Sequence, residues 1–430
     1  MPSRRGFLST LAAASVFRFP ATQWEAMEGS APWRRAFPAL NERVHGNPLI
    51  YFDNAATTHR ARAVLQAEME YYWHANANPA TSLHELARRA GERYEAARQT
   101  LATFLNAPDP AEIVWCRGTT EAINLVASSW GHSMLRPGDE ILLSVAEHYS
   151  NLLPWQQITQ RRGAVLRFVD VDDDGVLKLD HLDQLLSPRT RLLSLAHVSN
   201  VFGRIQPVVE ISKRVHDRGA LVFLDGAQSA PHIPIDVQAL GCDFFALSGH
   251  KMTGPMGVGA LWARRELLDA MPPYQLGGHM AKRVELLSGE FASAAYKFEA
   301  GSPNIAGPVA WQAAIEFLRQ IGLDKIRAHH RMLVQHTLER LTGLHRLSIF
   351  GSSAATERVG IFSFEVKGLD PVTLARSLDR RGIAIRAGDL AAAPLLRSRG
   401  REALARVSLY LYNEPAEIDH LAEELERLGA

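Results

Sequence analysis

In the stretch LVFLDGAQSAPHIPIDVQALGCDFFALSGHKMTGPMGV, residues 221–258, two apolar runs each end on a cluster of polar residues. Residues 221–224 lead into Asp225-Gly226-Ala227-Gln228. Residues 244–247 lead into Ser248-Gly249-His250-Lys251, with Gly254, Pro255, Gly257 and Gly259 behind. Short apolar runs bounded by such residues read as buried strands, and α/β sheets keep their ligands beyond the strands' carboxyl ends. A carboxylate and a lysine are thus delivered to one edge. A lysine so placed, wrapped in small residues, can form an imine with an aldehyde cofactor. An aspartate from a neighbouring strand end then keeps the cofactor's ring nitrogen protonated, so that the ring accepts electrons from a carbanion. Lys251 alone reads equally well as a surface lysine near a turn. Asp225, Gln228 and the Ser248–His250 pair together favour the chemical reading.

Outward from this stretch the chain alternates apolar runs with amphipathic segments. Strands are expected at 113–115, 140–144, 165–169, 191–195, 221–224 and 244–247, which implies a mostly parallel sheet. Helical periodicity covers 61–74 and 83–105, with a polar loop over 75–82, and a long helix is expected near 307–321. Residues 279–297 read as a mobile segment. The remainder reads as a smaller α+β unit, with strands near 347–350, 360–365, 383–386 and 406–411.

The 430 residues are 47% apolar, enough for one large core and a smaller one. Lys+Arg number 47 against Asp+Glu 46, so nothing in the charge indicates a nucleic acid or another polyanion as partner. Cys116 and Cys242 sit in or beside apolar runs without metal-ligand spacing and read as buried thiols, with a disulfide left open. At the N-terminus, Ser3-Arg4-Arg5-Gly6-Phe7-Leu8 precedes a mildly apolar run over 8–17 that is too short to span a bilayer. A disordered basic tail is the plain alternative; the flanking serine and Phe-Leu favour a twin-arginine export signal over residues 1–30. A folded, exported, periplasmic protein is expected, with no membrane attachment after export. Residues 31–48 form an arm with Trp33 and Phe37 available to dock, as Trp24 is just before it.

The segment around Lys251 resembles the site of class V aminotransferases, and specifically the cysteine desulfurase and selenocysteine lyase group. The likeness runs in the same order from about Leu49 to the C-terminus. It implies pyridoxal 5′-phosphate as cofactor and the fold type I of such transferases. That means a large domain (49–300) with a mostly parallel seven-stranded sheet, an interdomain helix (301–324) and a small α+β domain (325–430).

The resemblance also carries roles residue by residue. Thr119 and Thr120, in Arg117-Gly118-Thr119-Thr120-Glu121 before a helix expected at 122–129, match the segment that cradles the cofactor phosphate; a helix N-terminus with hydroxyls suits an anion, though an ordinary cap would look the same. Ser248 and His250 match further phosphate ligands. Gln228 belongs with the same cofactor set, and Lys251 and Asp225 match the imine lysine and the ring-nitrogen partner. His148, in Glu147-His148-Tyr149-Ser150-Asn151, matches a histidine stacked on the ring that can relay protons. Asn200 matches a contact to the cofactor's 3′-oxygen and to substrate, whereas His197 reads as packing. Ser302, in Phe298-Glu299-Ala300-Gly301-Ser302-Pro303-Asn304, stands for a threonine that reaches a partner's phosphate, which implies a homodimer. Arg406 matches the arginine that grips the substrate α-carboxylate, and Arg386 a second one at the mouth; a surface salt bridge is the alternative for each.

One loop departs from the pattern. Where the desulfurases carry a sulfur-accepting cysteine after two histidines, this chain reads Asp389-Leu390-Ala391. Alanine cannot form a persulfide, so desulfuration by that route is expected to be absent or weak, and an export signal also points away from iron–sulfur assembly. The expectation is therefore a pyridoxal-phosphate enzyme acting on a small-molecule or peptide amino-acid moiety by aminotransferase-type chemistry, for example on a glutamyl group of a peptide siderophore such as pyoverdine. The alternatives are a cysteine sulfinate or selenocysteine lyase or a residual desulfurase-like activity, and a silent binding protein that keeps the fold.

Overall fold

The computed structural model describes residues 31–79 and 83–430, so the expected export signal and Trp24 lie outside the described residues. A central sheet is built from β1 (Ile113–Cys116), β2 (Glu140–Ser144), β3 (Val165–Val169), β4 (Thr190–Ala196), β5 (Leu221–Asp225), β6 (Phe244–Ser248) and β7 (Gly259–Ala263). The strand order is β1-β7-β6-β5-β4-β2-β3. Five strands pair in parallel from β6 to β3. Only β7 reverses, running antiparallel to both β1 and β6. The fold is α/β with the expected mostly parallel seven-stranded sheet.

The apolar runs do what their composition dictates: β5 and β6 are buried almost throughout, with Phe223, Phe244 and Phe245 fully inside. The sheet could be read from these runs because strands covered on both faces need continuous apolar sequence. β7 is the strand that the run-by-run reading leaves out. It follows β6 through a Gly-rich turn and lies outside the alternation of strand and helix. Its first residue has to be glycine. A Cβ on Gly259 would lie 2.4 Å from the Cα of Gly118, so β7 could not approach the end of β1.

Around the sheet lie α1 (Arg62–His74), α2 (Glu85–Leu105), α3 (Thr119–Val126), α4 (Leu153–Arg162) and α5 (Ala306–Ile321), while α6 (Leu323–Thr342) gives most of its apolar side chains to the C-terminal core. α5 packs against α1 and α2 with Trp311 fully buried. Asn304 Oδ1 accepts from the Gly307 N–H at 2.9 Å at its start, and Gly322, at φ +98°, turns the chain into α6. The helix expected at 122–129 begins earlier, at Thr119, and passes after Val126 into one π-helical turn, Ala127–Gly131.

The C-terminal part forms a second, antiparallel sheet of β8 (Leu347–Ile349), β9 (Ile361–Val366), β10 (Arg386–Gly388) and β11 (Leu404–Ser408), in the order β8-β9-β11-β10. Its own apolar core joins Phe362, Phe364 and Val407 to Leu374, Ile418 and Leu421. The single strand expected at 383–386 is two. Ile383–Ala384 pairs in parallel with Ile50–Tyr51, and the chain then crosses to β11 as β10. The stitch continues one residue on: Ser408 N–H and Oγ both donate to the Phe52 carbonyl, at 2.6 and 3.0 Å. Asn54 Nδ2 donates to the Ser408 carbonyl at 2.7 Å. The arm docks through Trp33, whose Nε1 donates to the Leu411 carbonyl at 2.7 Å, and through fully buried Phe37. Within the stretch read as mobile, Ala281–Val284 and Gly289–Phe291 form an antiparallel hairpin. Almost all of its side chains are exposed, so no alternation marks it in sequence.

Candidate active site

β4, β5 and β6 end side by side, and their first loop residues line a cleft of about 250 Å³ closed from the other side by β10 and β11. Thr119, Thr120, His148, Asn200, Asp225, Gln228, Ser248, His250, Lys251, Arg386 and Arg406 all line it. Ser302 does not. It lies in a separate cavity with Gly257 and Asn304, where its hydroxyl accepts from Asn78 Nδ2 at 3.0 Å.

Lys251 closes a short 3₁₀ turn that starts straight after β6. Burial disfavours its charged form and lowers its pKa to about 8; Asp225 opposes that shift and Arg406 adds to it. Asp225 is the last residue of β5, buried, with the Ala227 N–H donating to Oδ1 at 2.9 Å. Its pKa is raised by burial and held back by that N–H and by Lys251. His148 accepts from the Ser150 N–H on Nδ1 at 3.1 Å, which leaves the ring proton on Nε2. Burial, Lys251 and Arg406 lower its pKa to about 4, so the imidazole is neutral at ordinary pH.

At the other end, Ser248 Oγ accepts from the Thr119 N–H at 2.9 Å and shares a 2.8 Å hydrogen bond with Thr119 Oγ1. Thr120 Oγ1 and Ser150 Oγ are likewise 2.8 Å apart. Four hydroxyls and the first turn of α3 thus gather at one corner, an arrangement suited to a phosphate. At the mouth, the buried Arg406 donates to Asp53 Oδ1 at 3.3 Å, and Arg386 stands 3.6 Å from the other oxygen. Gln228 Oε1, His250 Nδ1 and Arg406 Nε are buried without a partner among the described residues, although Gln228 Nε2 is anchored on the Ala55 carbonyl at 2.8 Å.

Two contributors went unread in the sequence. Tyr149 holds the 389–391 loop against the cleft: its OH donates to Asp389 Oδ2 at 2.6 Å and its N–H to the Ala391 carbonyl at 2.9 Å. Asn200 Nδ2 donates to the Leu390 carbonyl at 2.7 Å, and both Leu390 and Ala391 sit at positive φ, 53° and 55°. Asp53 is the other; nothing in the run Tyr51-Phe52-Asp53-Asn54 foretells two arginines more than three hundred residues away. His197 is buried beside β5, as a packing residue would be.

The aminotransferase class-V family model matches residues 50–421. The chain belongs to the class V aminotransferase family. It is 43% identical over 394 residues to a probable cysteine desulfurase of Halalkalibacterium halodurans, covering 92% of this chain and 96% of that one. It is 43% identical over 396 residues to a cysteine desulfurase of Cronobacter sakazakii, covering 92% and 97%. Among solved structures it superposes on the apo cysteine desulfurase of Thermococcus onnurineus with a TM-score of 0.89 at 35% identity, covering 94% and 98%. This class V chain is a pyridoxal-phosphate enzyme, and the cleft fits that cofactor: a buried lysine of lowered pKa, a buried carboxylate, a hydroxyl-lined corner and polar atoms that lack partners. Cys116 and Cys242 are free, buried thiols, which excludes the disulfide the sequence left open.

Proposed function

We propose that this class V enzyme works at the α-carbon of an amino-acid moiety by aminotransferase-type chemistry rather than by handing sulfur to a protein thiol. One observation carries the reading: no cysteine lines the cleft, and Ala391 occupies the loop position beside Leu390. Cys116 and Cys242 are buried elsewhere, and burial raises the pKa of both thiols. Bound pyridoxal phosphate supplies the electron sink for a carbanion at the substrate's α-carbon. Lys251, whose neutral amine is accessible near pH 8, is suited to take and return the α-proton. Asp225 suits a protonated ring nitrogen, and Thr119, Thr120, Ser248 and His250 suit the phosphate. Neutral His148 suits the ring face, and Arg406, with Asn200 beside it, suits the substrate's α-carboxylate.

The finer reading is an exported enzyme whose substrate is a glutamyl group of a peptide siderophore such as pyoverdine; support for export is the Ser3-Arg4-Arg5-Gly6-Phe7-Leu8 sequence. We also propose a homodimer in which Ser302 serves the neighbouring protomer's phosphate corner, because Ser302 lies outside the cleft of its own chain. The second reading, a lyase acting on cysteine sulfinate or selenocysteine, is favoured by the 43% identity to cysteine desulfurases.

The test is a spectral titration of the cofactor-loaded protein with amino acids, glutamate-terminated peptides, cysteine, cysteine sulfinate and selenocysteine. Conversion to the aminated cofactor, reversed by a 2-oxo acid, supports transamination. Response only to the sulfur or selenium amino acids, with alanine or pyruvate as product, selects the lyase. No response to any of them leaves a binding protein.

A further inference from the structure

A second cavity, remote from the cofactor corner, lies where α6 meets the loop before β9 and the segment after β5. We infer that this cavity is a binding site for a small oxyanion of the phosphate or sulfate type, built from Arg358, His232 and His330 and rimmed by Arg327 and Arg331.

The cationic part of the wall is three guanidinium groups, Arg358 inside and Arg327 and Arg331 at the exposed rim, whereas burial holds His232 and His330 in their neutral form. Arg327, His330 and Arg331 follow one another at i, i+3 and i+4 on α6, so they share one face of the helix. Arg358 enters from the opposite side, 4% exposed. Two of its nitrogens are spent on the Ser352 and Ile361 carbonyls, and its plane stacks on Phe362 at 4.2 Å. The third nitrogen, Nε, is a buried N–H without a partner among the described residues. His232 and His330, each 8% exposed and with ring centroids 5.2 Å apart, likewise bury Nδ1 and Nε2 unpartnered.

Among the described residues no carboxylate lines the cavity, whereas three guanidinium groups do, although Asp174 acts on Arg358 from outside it. A buried arginine N–H with nothing to donate to is costly, and an oxyanion satisfies it while neutralising the surrounding charge. Size agrees. The cavity measures about 50 Å³, several times the roughly 10–15 Å³ that one water needs, so it has room for a five-atom anion, which would also supply the negative charge that water lacks. The site bridges the two sheets, so occupancy is expected to hold them together.

The experiment titrates inorganic phosphate, and separately sulfate, into the cofactor-loaded enzyme at constant ionic strength made up with chloride. Loading keeps the cofactor's own phosphate corner filled. Calorimetry and the thermal midpoint are read for the natural chain and for R327Q/R331Q, whose changes lie on an exposed helix face. We expect saturable one-to-one binding with a rise in midpoint, weakened about tenfold or more in the double variant, and abolished in R358Q if that variant folds. Absence of saturable binding in the natural chain overturns the inference. So does unweakened binding in R327Q/R331Q. Because neither readout is activity, failure here leaves the proposed reaction untouched, and failure of that reaction leaves this site standing.

Discussion

Arg406 donates to Asp53 across the mouth of the cleft, Nη2 to Oδ1 at 3.3 Å, with the arginine side chain only 4% exposed. The carboxylate sits between two cations, since Arg386 is 3.6 Å from its second oxygen. Burial raises the pKa of Asp53, and the two arginines hold it back. On the proposed reading, a substrate carboxylate would find the arginine fork already oriented, with Nε unpartnered among the described residues, and would compete with Asp53 for it.

Replacing Arg406 by lysine keeps the charge and loses the fork. We expect KM for the responding amino acid to rise about tenfold or more, the loss of one charge-assisted hydrogen bond, with a smaller fall in kcat. Steady-state kinetics separate the two, and an unchanged KM would remove Arg406 from carboxylate binding.

Lys251 titrates far below an ordinary lysine, near pH 8. Since only the neutral amine attacks an aldehyde, covalent capture of pyridoxal phosphate by the cofactor-free protein should speed up as pH rises and level off just above pH 8. Lys251→Ala should show no capture at any pH. A plateau not reached by pH 10 would mean the amine is not desolvated as described.

Glu299 lies outside the cleft yet inside the motif that contains Ser302. Its carboxylate takes a two-pronged pair from Arg98, at 2.7 and 2.9 Å, and further bonds from Tyr94 OH and the Trp115 N–H. Glu299→Gln leaves the buried Arg98 charge with only the half-exposed Glu95, 3.2 Å from its Nε, as counter-ion, so we expect a loss of about 3 kcal/mol, the lower end for breaking a buried pair, in urea unfolding. A loss under about 1 kcal/mol would show that the pair is dispensable.

Ala391→Cys puts a thiol into the loop, but Tyr149 holds the 391 carbonyl at 2.9 Å and Leu390 occupies the neighbouring position. Sulfide release from cysteine should stay near background in a colorimetric assay. Robust release by this single variant would overturn the loop reading and revive desulfuration.

Tyr149→Phe should loosen that same loop. The hydroxyl donates to Asp389 and lowers its pKa, and the Asp389 carboxylate in turn accepts from the Ala391 N–H at 3.0 Å. Amide exchange over residues 389–393 should accelerate several-fold, in line with losing one charge-assisted bond. Unaltered exchange would mean that the backbone bonds alone hold the two left-handed residues.

Much of this site was legible because strand ends are. Asp225 and Lys251 follow buried runs whose length and apolarity set both the strand and the edge at which it stops. Arg406 and Arg386 were within reach only through the family resemblance, since no local pattern says that a small antiparallel sheet folds over a large parallel one. The side-chain partners of Asp53 and Tyr149 were not legible, because they lie hundreds of residues distant. β7 escaped because it follows β6 after a Gly-rich turn, with no α-helix between them to mark it as a separate strand. The hairpin at 281–291 escaped because both of its faces meet solvent.

The pairing of Phe52 with Ser408 sets an order of events in synthesis. More than 350 residues separate the two, so the strand carrying Arg406 can dock on the first part of the chain only when almost all of the polypeptide has left the ribosome. Until then the large sheet can form and gather Asp225 and Lys251, but the wall that carries Arg386 and Arg406 is missing. A chain truncated even a few residues before β11 should therefore accumulate as a half-built cleft with a lysine and no arginine wall facing it.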